Sequence, residues 1–119
     1  MPRDDATDTG LMPAADFPLL TADADGIWRQ DKTGRRSGIR WGEIYHIGGY
    51  KLDLMSRVVT VVELDWDFGE FIEFMDNWPG FDDVVNAITS RVPGIVPDWI
   101  VRIRSLSTGD NPVDVWKRE

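Results

Sequence analysis

Between Glu63 and Asp83 the chain places eight carboxylates in 21 residues, with no lysine or arginine among them. They are Glu63, Asp65, Asp67, Glu70, Glu73, Asp76, Asp82 and Asp83. Carboxylates at that density can hold a hard cation through oxygen, move protons, or present a surface to a basic partner. A second stretch has the opposite sign: Arg29, Lys32, Arg35, Arg36 and Arg40 accompany a single acid, Asp31. Of these, Lys32, Arg35, Arg36 and Arg40 form a candidate anion-binding loop. The single histidine, His46, has Glu43 and Asp53 nearby in sequence, and a carboxylate can fix an imidazole tautomer for acid–base work.

Each pattern also has a plain structural explanation. Carboxylates along a sheet edge block edge-to-edge pairing, and a basic loop can simply pair with the protein's own acids. No Gly-x-Ser-x-Gly motif accompanies His46, and there is neither a second histidine nor any cysteine to complete a common zinc site. Asp23-Ala-Asp25-Gly26 opens like a calcium loop, but Arg35 stands near the place where a closing glutamate is required. It reads as a hairpin turn. The sequence therefore assigns no catalytic residue, no metal ligand and no cofactor, and the expectation is a non-enzymatic protein. The residues expected to meet a partner are Glu63, Asp65, Asp67, Glu70 and Glu73.

The elements that must position these groups follow from hydropathic period. Val58, Thr60, Val62, Leu64 and Trp66 alternate with Val59, Val61, Glu63 and Asp65, a β-branched run that suits a pleated strand. Asp67-Phe68-Gly69 turns the chain, and Glu70 to Asp76 returns as its antiparallel neighbour. Tyr50, Leu52 and Leu54 alternate in an earlier strand after Gly48-Gly49. Trp41, Ile44 and Ile47 recur every third residue, as in a 3₁₀-like turn. Phe81, Val84, Val85, Ile88 and Val92 mark one face of a helix, with Asp82 and Asp83 in its first turn and Arg91 in its last. Pro97-Asp98 starts a second short helix with Trp99, Ile103 and Leu106 inward, and Val113 to Trp116 is a final extended piece. Trp41, Trp66, Trp78 and Trp99 fall at positions expected to be buried. The helix over 81–92 is expected to lie across the 57–76 ribbon and seal a tryptophan-rich interior.

A chain of 119 residues with 42% hydrophobic residues accommodates one core. The expected organisation is a flexible N-terminal arm over 1–16 and a single domain over 17–119. A net charge of −8 opposes nucleic acid and anionic membrane as general partners, and favours a basic protein. No apolar run reaches the length of a membrane span or has the form of a secretory signal, and the expected location is the cytoplasm. An open sheet edge or the Val113–Trp116 segment would supply the contact of a homodimer.

The order of elements resembles the pleckstrin-homology-like fold. The likeness rests on Gly38-Ile39-Arg40-Trp41-Gly42-Glu43-Ile44-Tyr45-His46-Ile47, which looks like the strand-then-turn element of small bacterial proteins of this type. It rests also on Asp76-Asn77-Trp78-Pro79-Gly80-Phe81, which looks like their sheet-to-helix junction. The resemblance covers roughly 17–92. It implies an α+β protein, a curved antiparallel sheet or partly open barrel capped by a C-terminal amphipathic helix; the second short helix after it and the Val113 to Arg118 tail depart from the minimal fold and resemble the ending of an uncharacterised bacterial family. It also implies binding more than catalysis, including an immunity-type role towards a basic partner. A basic loop such as 29–40 holds phosphoinositide head groups in some pleckstrin-homology domains. The competing expectation is a hydrolytic enzyme that uses clustered carboxylates with or without a metal.

Overall fold

The computed structural model describes residues 18–119; the expected arm over 1–16 lies outside them. Strands β1 (Leu19–Ala22), β2 (Gly26–Gln30) and β3 (Arg36–Arg40) form one sheet in the order β1-β2-β3. Strands β4 (His46–Asp53), β5 (Val58–Asp65), β6 (Phe71–Met75) and β7 (Val113–Lys117) form a second, in the order β6-β5-β4-β7. All neighbours are antiparallel, and neither sheet closes on itself. Helices α1 (Phe81–Arg91) and α2 (Trp99–Arg104) lie between β6 and β7 in the chain. The protein is α+β with two antiparallel sheets. Among the described residues no helix is long and apolar enough to cross a membrane.

The ribbon of β5 and β6 forms as its alternation dictates. Val62 and Leu64 turn to the core with Phe74 of β6, and all three are essentially inaccessible. Helix α1 buries Phe81, Val84, Val85 and Ile88, the apolar stripe of the sequence, in the same core. Its Phe81 ring lies 5.7 Å from that of Phe74. The 3₁₀ turn occupies Trp41–Glu43, and Ile44 and Ile47 are fully buried beyond it.

The structure corrects three expectations. Gly48 and Gly49 do not precede the strand; they lie inside β4. A side chain on Gly49 would come within 2.5 Å of the Val61 carbonyl oxygen and 2.7 Å of Ile103 Cδ1. A bare backbone there lets α2 rest directly on the sheet. The second correction concerns coverage. Helix α1 runs beside β1, whereas α2 packs on β4, β5 and β7, so the shorter helix is the one that lies along the four-stranded sheet. The two helices are joined where the Trp99 indole donates to Thr89 Oγ1 at 2.9 Å.

The third concerns the tryptophans. Only Trp99 is fully buried; Trp41, Trp66 and Trp78 are half-buried against the core. An indole carries one N–H that needs a partner, so it sits best where apolar packing meets a polar acceptor. Trp41 donates to the Asp23 carbonyl at 2.8 Å and Trp116 to the Pro93 carbonyl at 2.9 Å. Strand β7 fills one side of β4, so the Val113–Trp116 segment is already paired within the chain. Arg118, just beyond it, donates to the Ile44 carbonyl at 2.8 and 3.0 Å and to the Gly42 carbonyl at 2.9 Å.

Candidate functional site

Register decides which carboxylates meet. In the four-stranded sheet His46 stands opposite Asp65, Gly48 opposite Glu63, and Tyr50 opposite Val61. Glu63 in turn faces Glu73, and Asp65 faces Phe71. Directly opposed side chains share a face of a sheet, so His46, Tyr50, Glu63, Asp65 and Glu73 stand together, on the side opposite Val62, Leu64 and Phe74. From β7, Asp114 lies opposite Gly48. The absent side chain at Gly48 has a function here: a Cβ would come within 3.1 Å of the His46 ring and 2.8 Å of the Val113 carbonyl. The gap it leaves lets the imidazole reach across to β7.

The imidazole bridges two strands. His46 Nδ1 lies 3.2 Å from Asp65 Oδ2 and Nε2 lies 2.8 Å from Asp114 Oδ1. An imidazolium donates at both positions, whereas the neutral ring donates at one. Asp65 Oδ1, the other oxygen, is buried with no hydrogen-bond donor among the described residues. Tyr50 donates its hydroxyl to Glu73 Oε2 at 2.7 Å, and burial followed by the Glu73 carboxylate lifts its phenol to about 12. Burial also acts first on Glu63, followed by a hydrogen bond with Asp65 and the charges of Asp65 and Glu73. Against the opposing pull of His46, these push its carboxyl up to about 7. Glu63 is a group that burial and neighbouring carboxylates keep from ionising freely.

Donor atoms of His46, Glu63 and Asp65 all lie within 4.8 Å of one another, a spacing that a divalent cation can span. The sequence reading assigned no ligand here. Its partners for His46 were Glu43 and Asp53, and both are committed elsewhere. Glu43 accepts the Arg40 backbone N–H at 2.9 Å, and Asp53 accepts that of Met55 at 2.7 Å. Asp114 and Tyr50 were missed. Their signal lay in strand pairing, which a lone sequence does not print.

Of the five expected partner-binding residues, the sheet brings Glu63, Asp65 and Glu73 together. Asp67 and Glu70 sit exposed in the β5–β6 turn, where Trp66 N–H donates to the Glu70 carbonyl at 2.9 Å. Two phenylalanines stand in the open at that end, Phe68 at 67% exposure and Phe71 at 53%. Phe68 stacks on Trp66 with ring centroids 5.9 Å apart. Asp82 belongs to another neighbourhood, 3.9 Å from Arg104.

The expected anion loop is dispersed. Lys32 is at the β2–β3 turn, and Arg40 lies four strand residues beyond Arg36, roughly 13 Å away along the backbone. Arg36 is occupied: its guanidinium lies 4.7 Å from the Trp28 ring centre and 3.2 Å from Asp23 Oδ2. Asp23 Oδ1 accepts the Trp28 indole at 3.0 Å and the backbone N–H groups of Asp25 and Gly26 at 2.9 and 3.1 Å. The Trp28 bond foremost, and then the others, hold Asp23 down at about 2. This is the hairpin turn expected for residues 23–26, with no calcium geometry. Arg35 is separated from Arg36 and lines a cleft with Arg29.

Comparison of the chain with protein-family models, with curated proteins and with solved structures finds no match.

Proposed function

We propose that the protein is a non-catalytic binding module whose acidic sheet face engages a basic protein partner. One observation carries the reading: Glu63 stands directly opposite Glu73 and two residues from Asp65 on one face of the sheet, where burial first and then these carboxylates push Glu63 up to about 7. Like charges opposed across strands destabilise a sheet, and a cationic partner would relieve that repulsion. The exposed Phe68 and Phe71 beside Asp67 and Glu70 supply apolar anchors inside an acidic rim, the arrangement in which interface energy concentrates. Neutralising a basic toxin, an immunity-type role, is one concrete form of this function. Six antiparallel strands ahead of α1 are compatible with a pleckstrin-homology-like relation, which forms part of the proposal.

The test is capture from the source cell by the wild-type protein and by a variant carrying Asp67→Lys, Glu70→Lys and Glu73→Lys. A basic protein retained at low salt, released at about 0.5 M salt and reduced more than tenfold with the variant is the expected result. Equal retention by both proteins, or no retained protein, overturns the reading.

The convergence of His46, Glu63 and Asp65 favours a second reading, a carboxylate site for a divalent cation that could support hydrolysis. It predicts a higher melting temperature in manganese, calcium or magnesium, because a ligand confined to the folded state stabilises it. A melting temperature unmoved by all three excludes the metal-dependent form.

A further inference from the structure

The side of the three-stranded sheet that faces the core carries Leu20, Ile27 and Ile39, all buried. In the same register stand Arg29, opposite Leu20 on one side and Ser37 on the other. A guanidinium thus occupies a position where the pattern calls for an apolar side chain. It is half-buried, and its one side-chain hydrogen bond among the described residues is to the Glu73 carbonyl at 3.4 Å. Among the described residues no carboxylate pairs with Arg29 or Arg35. Within the described residues this leaves a partly desolvated cation that an anion would offset.

Arg29 opens onto a cleft of about 580 Å³ lined by Pro18, Asp31, Arg35, Ser37 and Trp78 as well. That volume lies within the range of small-molecule sites, roughly 300–1,000 Å³. The one acid in the lining among the described residues is already engaged. Asp31 Oδ1 accepts the Thr33 hydroxyl at 2.6 Å and the backbone N–H groups of Thr33 and Arg35 at 2.9 and 3.0 Å. Among the described residues, two guanidinium groups, a hydroxyl and an indole wall remain to meet a ligand.

We propose that this cleft binds a phosphate ester carried on a flat ring. The phosphate offers three acceptor oxygens, which match two guanidinium forks and the Ser37 hydroxyl better than the two oxygens of a carboxylate. Trp78 supplies an aromatic wall for the ring, and guanidinium planes stack on such rings as well. The net charge of −8 repels anions at a distance, but that repulsion is screened beyond about 8–10 Å, within which Arg29 and Arg35 dominate. The cleft touches the Glu73 backbone but takes none of its lining side chains from the acidic face and is opposite in sign, so the proposal stands or falls independently of the partner-binding reading.

Amide and indole resonances of the full chain, followed during titration with adenosine 5′-monophosphate to about 10 mM, test it. The expected result is saturable shifts at Arg29, Ser37 and the Trp78 indole, with affinity at least about fivefold above that of inorganic phosphate or of adenosine. Arg35→Ala, on the exposed hairpin where folding is not at stake, should weaken binding about tenfold. Arg36→Ala should leave it unchanged, since that side chain is held on the other side of the sheet by Asp23 and Trp28. Absence of saturable shifts at the cleft, or equal affinity in the wild type and Arg35→Ala, overturns the proposal. So does an equal loss in Arg36→Ala, which would indicate unspecific charge attraction. Vesicles containing a phosphatidylinositol phosphate form the second arm. Binding to them without binding to the nucleotide would make a membrane the source of the phosphate and overturn the flat-ring assignment.

Discussion

In the three-stranded sheet, Arg36 is stacked on Trp28 and paired with Asp23, and Asp23 also holds the turn together. In the four-stranded sheet, Glu63 stands opposite Glu73 and beside Asp65, with one histidine between the acids of two strands. The first region satisfies its charges locally; the second concentrates charge of one sign on one face. Charges of the first kind stabilise a turn, and those of the second kind raise the cost of ionising one another. The difference separates structural charge from charge that is available for recognition.

The largest effect should come from the covered side of the four-stranded sheet. Gly49→Ala forces a methyl group against the Val61 carbonyl and Ile103, and overpacking of this kind costs about 1–3 kcal/mol. Urea unfolding would register the loss as a lower midpoint. The carboxylates on the other side are untouched, so whatever protein is captured by the acidic face should still be captured by the folded variant. A midpoint equal to wild type would mean that α2 does not rest on β4 as described.

The next effect concerns pH and is best measured with a chelator present. Glu63 has its folded value raised from 4.5 to about 7. The folded protein therefore keeps a proton that the unfolded chain has released, and this contribution is fully present below pH 4.5. It is lost as pH rises through about 7. Melting temperature should fall over that interval, and Glu63→Gln should remove part of the fall. A wild-type profile that rises from pH 5 to pH 8, with the variant parallel to it, contradicts the crowding of carboxylates on this face.

The smallest effect has the opposite sign and belongs to the hairpin. Asp23 is lowered from 3.8 to about 2, so its contribution is present above pH 3.8 and lost as pH falls through about 2. Asp23→Asn should lower the melting temperature at pH 7 and narrow the gap to wild type near pH 2. The group is exposed, and added salt should shrink the difference further. An effect of Asp23→Asn that grows towards pH 2 breaks the contrast between the two regions.

Local pattern carried much of this architecture. The alternation over 58–65 and the stripe from Phe81 to Ile88 report a strand and a helix without help from the rest of the chain. The placement of Glu63 and Asp65 on one face follows from the same alternation. What pattern did not carry depends on distant partners. Gly48 and Gly49 look like a turn until Ile103 and the His46 bridge show why a strand needs them bare. Asp114 is 68 residues from His46 in sequence, and only the pairing of β7 with β4 unites them. The four cations over 32–40 look like one loop, but strand alternation and the Asp23 turn divide them between two sides of a sheet. The apolar bulk of the tryptophans points to the core, but their N–H groups draw most of them to its margin.

The placement of β7 bears on how the molecule reaches this state. Strand β4 obtains its neighbour on one side from a segment whose anchoring arginine lies 74 residues along the chain from its Ile44 acceptor. Contacts between such remote segments close slowly. During synthesis, then, the β4–β5–β6 ribbon waits with an unpaired edge until the last strand and Arg118 have emerged. That interval is when two nascent copies would be most prone to pair with each other in place of β7, and Lys117 next to the arginine places cationic side chains at that closing seam.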